Sequence, residues 1–465
     1  MKPDNAFEKL CNKMDAMTVP ELRAFARDRY GIVPGAKKRA QLVEAIINAY
    51  FGELPRPRKK TGRPPVMIPV EYLECPSIFF DDGKDDGEQK KMEKSQAEGI
   101  LQIERGGYGF LRQELGVCSP SDVYVPPMQI KRFGLQTGDK IKCETTQFPG
   151  KTAPSLVFIH EVNDVSCINS VSKRSSFDNL KPVYPTQQLK LETDQDELTL
   201  RLIDLVAPIG KGQRGLIIAP PKSGKTILLK KLAMAIRKNN PEVNLTLLLV
   251  AERPEEIEEF KDIEGCNLVF STFEQSAESH INVAEGVFAN AKRRVECGQD
   301  VVVLMDGVSR LVRAYNQARD NSALSALGDL DMRALQEPKK LFASGRKVAE
   351  GGSLTVLATM LANTDMIDEV ICNEFIGVSN VEIYLEETPT DMRVFPSIDV
   401  NKSKTLRDDL LVSKDHFEVI GRLRKALNRT NPTLPLVELV DILKYTPTNE
   451  EFIETFKILN KEKVL

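Results

Sequence analysis

The chain has 465 residues, enough for two to four domains, and a net charge of −3, so any nucleic-acid binding must come from a local patch rather than from the whole molecule. Eight cysteines stand scattered at 11, 75, 118, 143, 167, 266, 297 and 372 with no CxxC pair and three histidines in the whole chain, a pattern that argues against a zinc site and suits a reducing cytoplasm. The N-terminus lacks the apolar core of a signal peptide, and the longest apolar runs, 247–251 and 301–305, are too short to span a bilayer, so no membrane association is expected.

Residues 1–54 read as a small helical domain. Thr18-Val-Pro-Glu21 is a capping box with Pro20 early in the helix, and Leu22, Phe25 and Ala26 follow at helical spacing. A second helix is predicted over 38–51 on Leu42, Ile46, Ile47 and Tyr50. Residues 55–98 read as a linker. PRPRKKTGRPP is basic and extended, and DDGKDDGEQKKMEKSQ (81–96) has the composition of a disordered segment. The charge divides sharply, net +7 over 1–70 and net −5 over 71–98. Lys60-Thr-Gly-Arg63-Pro64 is similar to the core of an AT-hook, which places an arginine in the DNA minor groove, although such triplets are ordinary in linkers.

From 99 to 164 short strand-like runs alternate with glycine and proline turns, the texture of a small OB-type β-barrel. Tyr108 and Phe110 are two apart and share one strand face with Arg112, and Tyr124 and Lys131-Arg132 follow. Rings interleaved with cations suit single-stranded nucleic acid, because bases stack on the rings while cations track phosphates. The competing reading puts Tyr108 and Phe110 in the barrel core. The glycines at 106, 107 and 109 favour exposure.

Residues 165–190 read as a connector, and 191–465 as an α/β domain with C-terminal helices, so the fold class is multidomain α+β: helical domain, OB-type barrel, and RecA-like P-loop ATPase. GLIIAPPKSGKT (215–226) runs from a buried strand through a tight loop into a helix, the layout of a phosphate-binding loop, although Ala219 stands where the usual pattern has glycine. Lys225 would reach the β/γ-phosphates of ATP and the Thr226 hydroxyl would ligate Mg²⁺. LTLLLVAE (245–252) and VVVLMD (301–306) are buried strands ending in Glu252 and Asp306, candidates for activating water and for holding Mg²⁺.

Together these residues resemble the family of bacterial transcription termination factor Rho, ring-shaped hexameric ATP-driven RNA helicase/translocases. The resemblance runs from about 99 to the C-terminus, on DVYVPPMQIKRFGLQTGD, PIGKGQRGLIIAPPKSGKT, ERPEEI, STFEQSAESHINVAE, DGVSRLVRAYN and RVFPSIDVNKS. The family's loop begins with the same alanine. The resemblance implies that Gly210, Lys211, Gly212, Gln213, Arg214, Gly215, Lys222, Ser223, Gly224, Lys225, Thr226 and Ile227 hold ATP, with Arg253 near the nucleotide. It implies Glu252 as the catalytic carboxylate, Asp306 as the Mg²⁺ acid and Arg310 as a link from nucleotide to pore. The RNA surface would comprise Gly107, Tyr108, Gly109, Phe110, Leu111, Arg112, Asp122, Val123 and Tyr124. The implied partners are nascent RNA, RNA polymerase with elongation factors, and five further copies of the chain; DNA binding would fall to the basic linker alone.

The sequence also departs from the family. The finger position falls on Leu406, which makes Arg407 the candidate finger, with Arg393 as a second basic contact. Lys151 and Ala153 replace an acid and an aromatic that touch the bound base, which puts pyrimidine preference in doubt. Of the pore loops, 317–331 has Arg319 as its one base, and 363–368 has two acids and none. Acids facing a pore repel phosphate, so weakened translocation is the expectation. The alternatives are a diverged RNA-binding ATPase that does not translocate, and a catalytic subunit of a rotary ATP synthase, against which the aromatic barrel speaks.

Overall fold

The computed structural model divides into two units, Met1–Cys75 and Pro76–Leu465. It describes Glu21, Leu22 and Phe25, and then 94–461 apart from 114, 116–118, 148–152, 167–173, 320–329, 350, 363, 387–396 and 428–432; for 94, 426–427, 433–438 and 459–461 only the backbone is described. Of the first unit, Glu21, Leu22 and Phe25 are helical and Leu22 is fully buried, as the apolar spacing predicts. The Thr18 cap, the helix over 38–51 and the linker up to 93 lie outside the described residues.

In the second unit, β1 (Lys94–Ile103), β2 (Gly109–Arg112), β3 (Val123–Val125), β4 (Lys140–Thr146), β5 (Ser155–Val162) and β6 (Val165–Ser166) form one sheet in the order β3-β2-β1-β4-β5-β6. A parallel pairing of Tyr124 with Ser155 joins β3 to β5 and closes the barrel. Leu101, Leu111, Val123, Val125, Ile141, Cys143, Leu156 and Ile159 fill it, and α1 (Pro127–Arg132) adds Ile130. The first strand begins at Lys94, not Gly99. Residues 94–98 pair with Lys142–Thr146 despite their polar, charged composition, because β4 offers an open ladder to satisfy their backbone. That moves the linker boundary and removes 94–96 from the segment read as disordered.

The barrel packs on α5 (Ala277–Glu296) of the second layer. Gly138 adopts φ +96° against the Ala289–Asn290 backbone, and Asn290 Nδ2 donates to its carbonyl at 2.8 Å. Arg174, in the connector, bridges Asp139 of the barrel and Glu296 of α5.

The larger sheet runs β10-β9-β11-β13-β8-β14-β15. These strands are β8 (Arg214–Ala219), β9 (Asn244–Glu252), β10 (Asn267–Thr272), β11 (Asp300–Asp306), β13 (Ser353–Leu361), β14 (Val381–Tyr384) and β15 (Lys404–Thr405). All neighbours are parallel except β14 with β15, and the short β7 (Pro182–Val183) and β12 (Arg346–Val348) add antiparallel pairings off the main path. The near-continuous apolar runs of β8, β9, β11 and β13 follow from burial on both faces. One face carries α2 (Leu198–Val206) and α3 (Lys225–Asn239). The other carries α5, α6 (Val308–Gln317), α7 (Gln336–Ala343) and α8 (Met366–Ile376). α4 (Pro254–Lys261) follows β9, and α9 (Lys414–Leu427), α10 (Thr433–Tyr445) and α11 (Asn449–Lys461) close the chain. The fully buried Arg201 of α2 donates to the Leu443 and Thr446 carbonyls and to Asn449, tying the C-terminal helices to the core.

Candidate functional site

The C-terminal ends of β8, β9 and β11 converge on one cleft. Ala219 is the last residue of β8, fully buried and paired with Leu361, so its extended backbone needs no glycine. Beyond it Lys222 (φ +62°) and Gly224 (φ +88°) take left-handed conformations. The turn they make presents backbone N–H groups to an anion at the start of α3. Ser223 Oγ donates to Pro220 O at 2.7 Å, and Ser397 Oγ donates to Ser223 O at 3.2 Å, bracing the loop from two sides.

Four charged groups form a chain across the cleft. Lys225 Nζ donates to Asp306 Oδ1 at 2.6 Å. Arg310 Nη2 lies 3.3 Å from the same oxygen and donates to Glu252 Oε2. Thr359 of β13, the strand between β11 and β8, donates its hydroxyl to Asp306 at 2.5 Å. Gly307 makes room for this: φ is +101°, and a Cβ there would stand 2.6 Å from Arg310 Nε. Burial works to raise the Asp306 carboxyl, but Lys225 and Arg310 outweigh it and hold the group below the usual range. Burial raises Glu252 above an ordinary glutamate, with Arg310 opposing and Asp306 reinforcing. The two carboxylates of the cleft are thereby shifted in opposite directions.

Thr226 Oγ1 stands 3.5 Å from Glu256 in the first turn of α4, and Arg253, exposed, occupies the N-cap of that helix. Ile227 is exposed beside the loop. Thr226 and Asp306 suit Mg²⁺, which takes few protein oxygens and completes its shell with water and phosphate. Among the described residues no cluster of three or more His, Cys, Asp or Glu forms a protein-only metal cage.

Gly210, Lys211, Gly212, Gln213, Arg214 and Gly215 do not join this cleft. They lie at the N-terminal end of β8, and the strand from Gly215 to Ala219 alone spans about 13 Å at ~3.3 Å per residue. Their polar groups are committed elsewhere: Lys211 to Glu242 and Asp300, Gly212 N–H to Thr355, Arg214 to the Val378 and Gly345 carbonyls. Contiguity with the loop in sequence is undone by the strand between them, which sets 210–215 at the opposite end of β8 from Lys225.

On the barrel, Tyr108, Phe110 and Tyr124 form a ring cluster with all three centroid separations at 5.9 Å. Tyr108 is 36% exposed, and Phe110 and Tyr124 are half-buried, so the rings line the surface rather than the core. Arg112 lies 5.2 Å from the Phe110 centroid and is ion-paired with the buried Asp122. Leu111 and Val123 point the other way, into the barrel core, so only their backbone could meet a bound strand. Gly107 (φ +79°) makes the turn, and Gly109 lets its strand approach Gln102 O. Ala153 is half-buried, and Lys151 lies outside the described residues.

Arg407 has φ +59°, pairs with Asp409 at 3.0 Å and lies 5.3 Å from the Tyr184 centroid; Arg393 lies outside the described residues. Arg319 pairs with Asp331 at 3.5 Å, and most of the 317–331 loop lies outside the described residues. In the second loop, Asp365 caps α8 by accepting from Asp368 N–H, and both acids are ion-paired with Arg313 of α6 at 3.1 and 3.0 Å. The expectation of free repelling charge there is corrected in part: Arg313, from a different element, pairs with both acids, and one cation against two carboxylates leaves the group net negative.

Sequence reasoning passed over Thr359, Ser397, Ser271 and His280. Thr359 carried a signal, a hydroxyl near the end of the apolar run SLTVLATM; Ser397 carried none.

Comparison with known proteins matches 97–167 to the Rho termination factor RNA-binding domain and 199–405 to the nucleotide-binding domain of the ATP synthase alpha/beta family. The chain is 42% identical over 376 residues to a transcription termination factor Rho of Pseudomonas aeruginosa, covering 79% of this chain and 89% of that protein. It is 43% identical over 375 residues to that of Aquifex aeolicus, covering 78% and 86%. Among solved structures it is similar in fold to a type III secretion ATPase of pathogenic bacteria (TM-score 0.52, 20% identity, 68% of this chain and 94% of that one). It is likewise similar to the assembled ATPase EscN of enteropathogenic E. coli (TM-score 0.51, 20% identity, 68% and 79%).

Proposed function

The chain belongs to the transcription termination factor Rho family, and from that premise we propose an RNA-binding ATPase that ends transcription by drawing nascent RNA from RNA polymerase. One observation carries the reading: a single chain joins an outward cluster of three aromatic rings, on a domain matching the Rho RNA-binding model, to a phosphate loop wired through Lys225, Asp306, Arg310 and Glu252. The barrel collects single-stranded RNA. ATP is split at the cleft, where loop N–H groups and Lys225 hold the phosphates and Glu252 orients the attacking water. Thr226 and Asp306 would hold Mg²⁺, which neutralises phosphate charge when bound. Arg310 carries the state of the cleft along α6 toward Arg313 and the 363–368 loop.

The working form is a ring hexamer in the cytoplasm, with helicase/translocase action powered at subunit interfaces and elongation factors as further partners. Arg407 is the candidate finger; before reaching a neighbour's phosphates it must leave Asp409. A second reading, an RNA-binding ATPase that does not translocate, is favoured by the 363–368 loop, where Arg313 is one cation against the two carboxylates of Asp365 and Asp368.

The test is transcription by RNA polymerase in the presence of the wild type or Lys225→Ala, with RNA-stimulated phosphate release measured in parallel. Shortened transcripts with the wild type alone support ATP-driven termination, and equal transcript lengths refute it. ATP hydrolysis that RNA does not stimulate favours the second reading. No helix among the described residues is long and apolar enough to cross a membrane.

A further inference from the structure

β9 and β10 lose register just before the cleft. Leu249 pairs with Phe270, and the next pair is Glu252 with Thr272, so Val250 and Ala251 together oppose the single residue Ser271. This is a β-bulge, one extra residue on β9. Its effect is visible in the packing. Leu245, Leu247 and Leu249 belong to the core shared with α3, while Leu248 and Val250 belong to the opposite core. Strict alternation would send Ala251 back to the α3 side, yet Ala251 packs on the same side as Val250. The one-residue slip therefore reverses the face of everything after it, including Glu252.

The bulge is strained and braced. Ala251 has φ +50°, a conformation a residue with a Cβ rarely takes. Its N–H, displaced from the regular ladder, donates to Ser271 Oγ at 3.2 Å. The Ser271 hydroxyl is in turn hydrogen-bonded with His280 Nδ1 at 2.9 Å, the donor being set by the imidazole tautomer. Ser271 is fully buried and His280 is 7% exposed, so the bond between them has no water as a substitute. Phe273 N–H donates to Glu252 O at 3.2 Å and closes the bulge from the far side.

We propose that Ser271 and His280 are positioning residues for hydrolysis, acting through the bulge to aim the Glu252 carboxylate into the cleft. The proposal rests on the reading of Glu252 as the carboxylate that orients water. Ser271→Ala leaves the half-buried Ala251 N–H without its side-chain partner and lets the bulge relax. His280→Leu removes the polar partner that orients the hydroxyl, whereas His280→Asn can place an amide oxygen or nitrogen where Nδ1 stands and Ser271→Thr keeps the hydroxyl.

The test is steady-state ATP hydrolysis by the full-length assembly with RNA, alongside binding of a non-hydrolysable ATP analogue, for these four variants and Glu252→Gln. Misplacing a catalytic group by about 1 Å costs up to about 100-fold, so Ser271→Ala and His280→Leu should lose roughly 10- to 100-fold in kcat. Their KM and analogue affinity should stay within about twofold, the signature of an interaction made in the transition state. Ser271→Thr and His280→Asn should recover most of the rate. Wild-type kcat in Ser271→Ala beside an inactive Glu252→Gln overturns the positioning role alone, while an active Glu252→Gln overturns the reading of Glu252 beneath it. Loss of analogue affinity in step with kcat, or failure of both conservative variants to recover, also overturns the proposal, since that is what a purely structural role would give.

Discussion

Lys225 and Asp306 are joined by a 2.6 Å hydrogen bond across the cleft, so the lysine proposed to meet phosphate is held by the acid proposed to meet the metal. ATP binding must exchange that contact for phosphate. Asp306→Asn should therefore bind ATP more tightly than the wild type in EDTA, because Lys225 is released, while hydrolysis with Mg²⁺ falls on the order of 100-fold. Titration with a fluorescent ATP analogue, with and without Mg²⁺, checks the first half, and phosphate release checks the second.

The acidity of Glu252 sets the acid limb of the rate profile. Burial raises it, so the ionised form proposed to orient water is lost at a higher pH than for an ordinary glutamate near 4.3. The nearest opposing influence is the Arg310 charge. Arg310→Gln should lower kcat and also move the acid limb of the remaining activity further up in pH, and kcat measured across pH for both proteins reads the shift. Asp306 moves in the opposite direction, so it stays ionised through this window; the stability its ion pairs contribute is present above the ordinary carboxylate pKa and is lost only as pH falls through its depressed value.

Tyr124 supplies a ring that touches both Tyr108 and Phe110. Stacking contributes about 1–3 kcal/mol per base, so Tyr124→Ala should weaken single-stranded RNA binding by about 5- to 150-fold. The salt dependence should barely change, because no phosphate contact is lost. Fluorescence anisotropy at two salt concentrations separates the effects.

Arg313 compensates Asp365 and Asp368. Arg313→Ala leaves two unbalanced acids beside the loop expected to meet RNA. RNA-stimulated hydrolysis should fall several-fold while the RNA-free rate holds, and adding Asp365→Asn should restore part of it. Phosphate release with and without RNA measures each case.

Gly138 holds the barrel against α5. An added Cβ would stand 2.4 Å from the Ala289 carbonyl carbon in a φ +96° backbone. Gly138→Ala should destabilise the fold by about 2 kcal/mol or more and lower the melting temperature by several degrees in a thermal scan.

Local pattern determined a good deal of this protein. The strand, loop and helix around 215–226 were legible from an apolar run, a glycine turn and helical spacing, and the strands ending at Glu252 and Asp306 from apolar runs that stop at a carboxylate. The aromatic surface was legible from glycines flanking Tyr108 and Phe110, of which Tyr108 is exposed and Phe110 half-buried, both outside the barrel core. Tertiary structure decided what depends on residues far apart in the chain. Strand order set Thr359 beside Asp306 across 53 residues, and helix placement brought Arg313 to Asp365 across 52. Strand length carried 210–215 to the wrong end of the sheet, and an open ladder drew Lys94 into the barrel. The direction of Glu252 belongs here too. Its identity is local, but its face is set by a pairing slip against β10, and register between strands is a property of the pair that neither strand encodes alone.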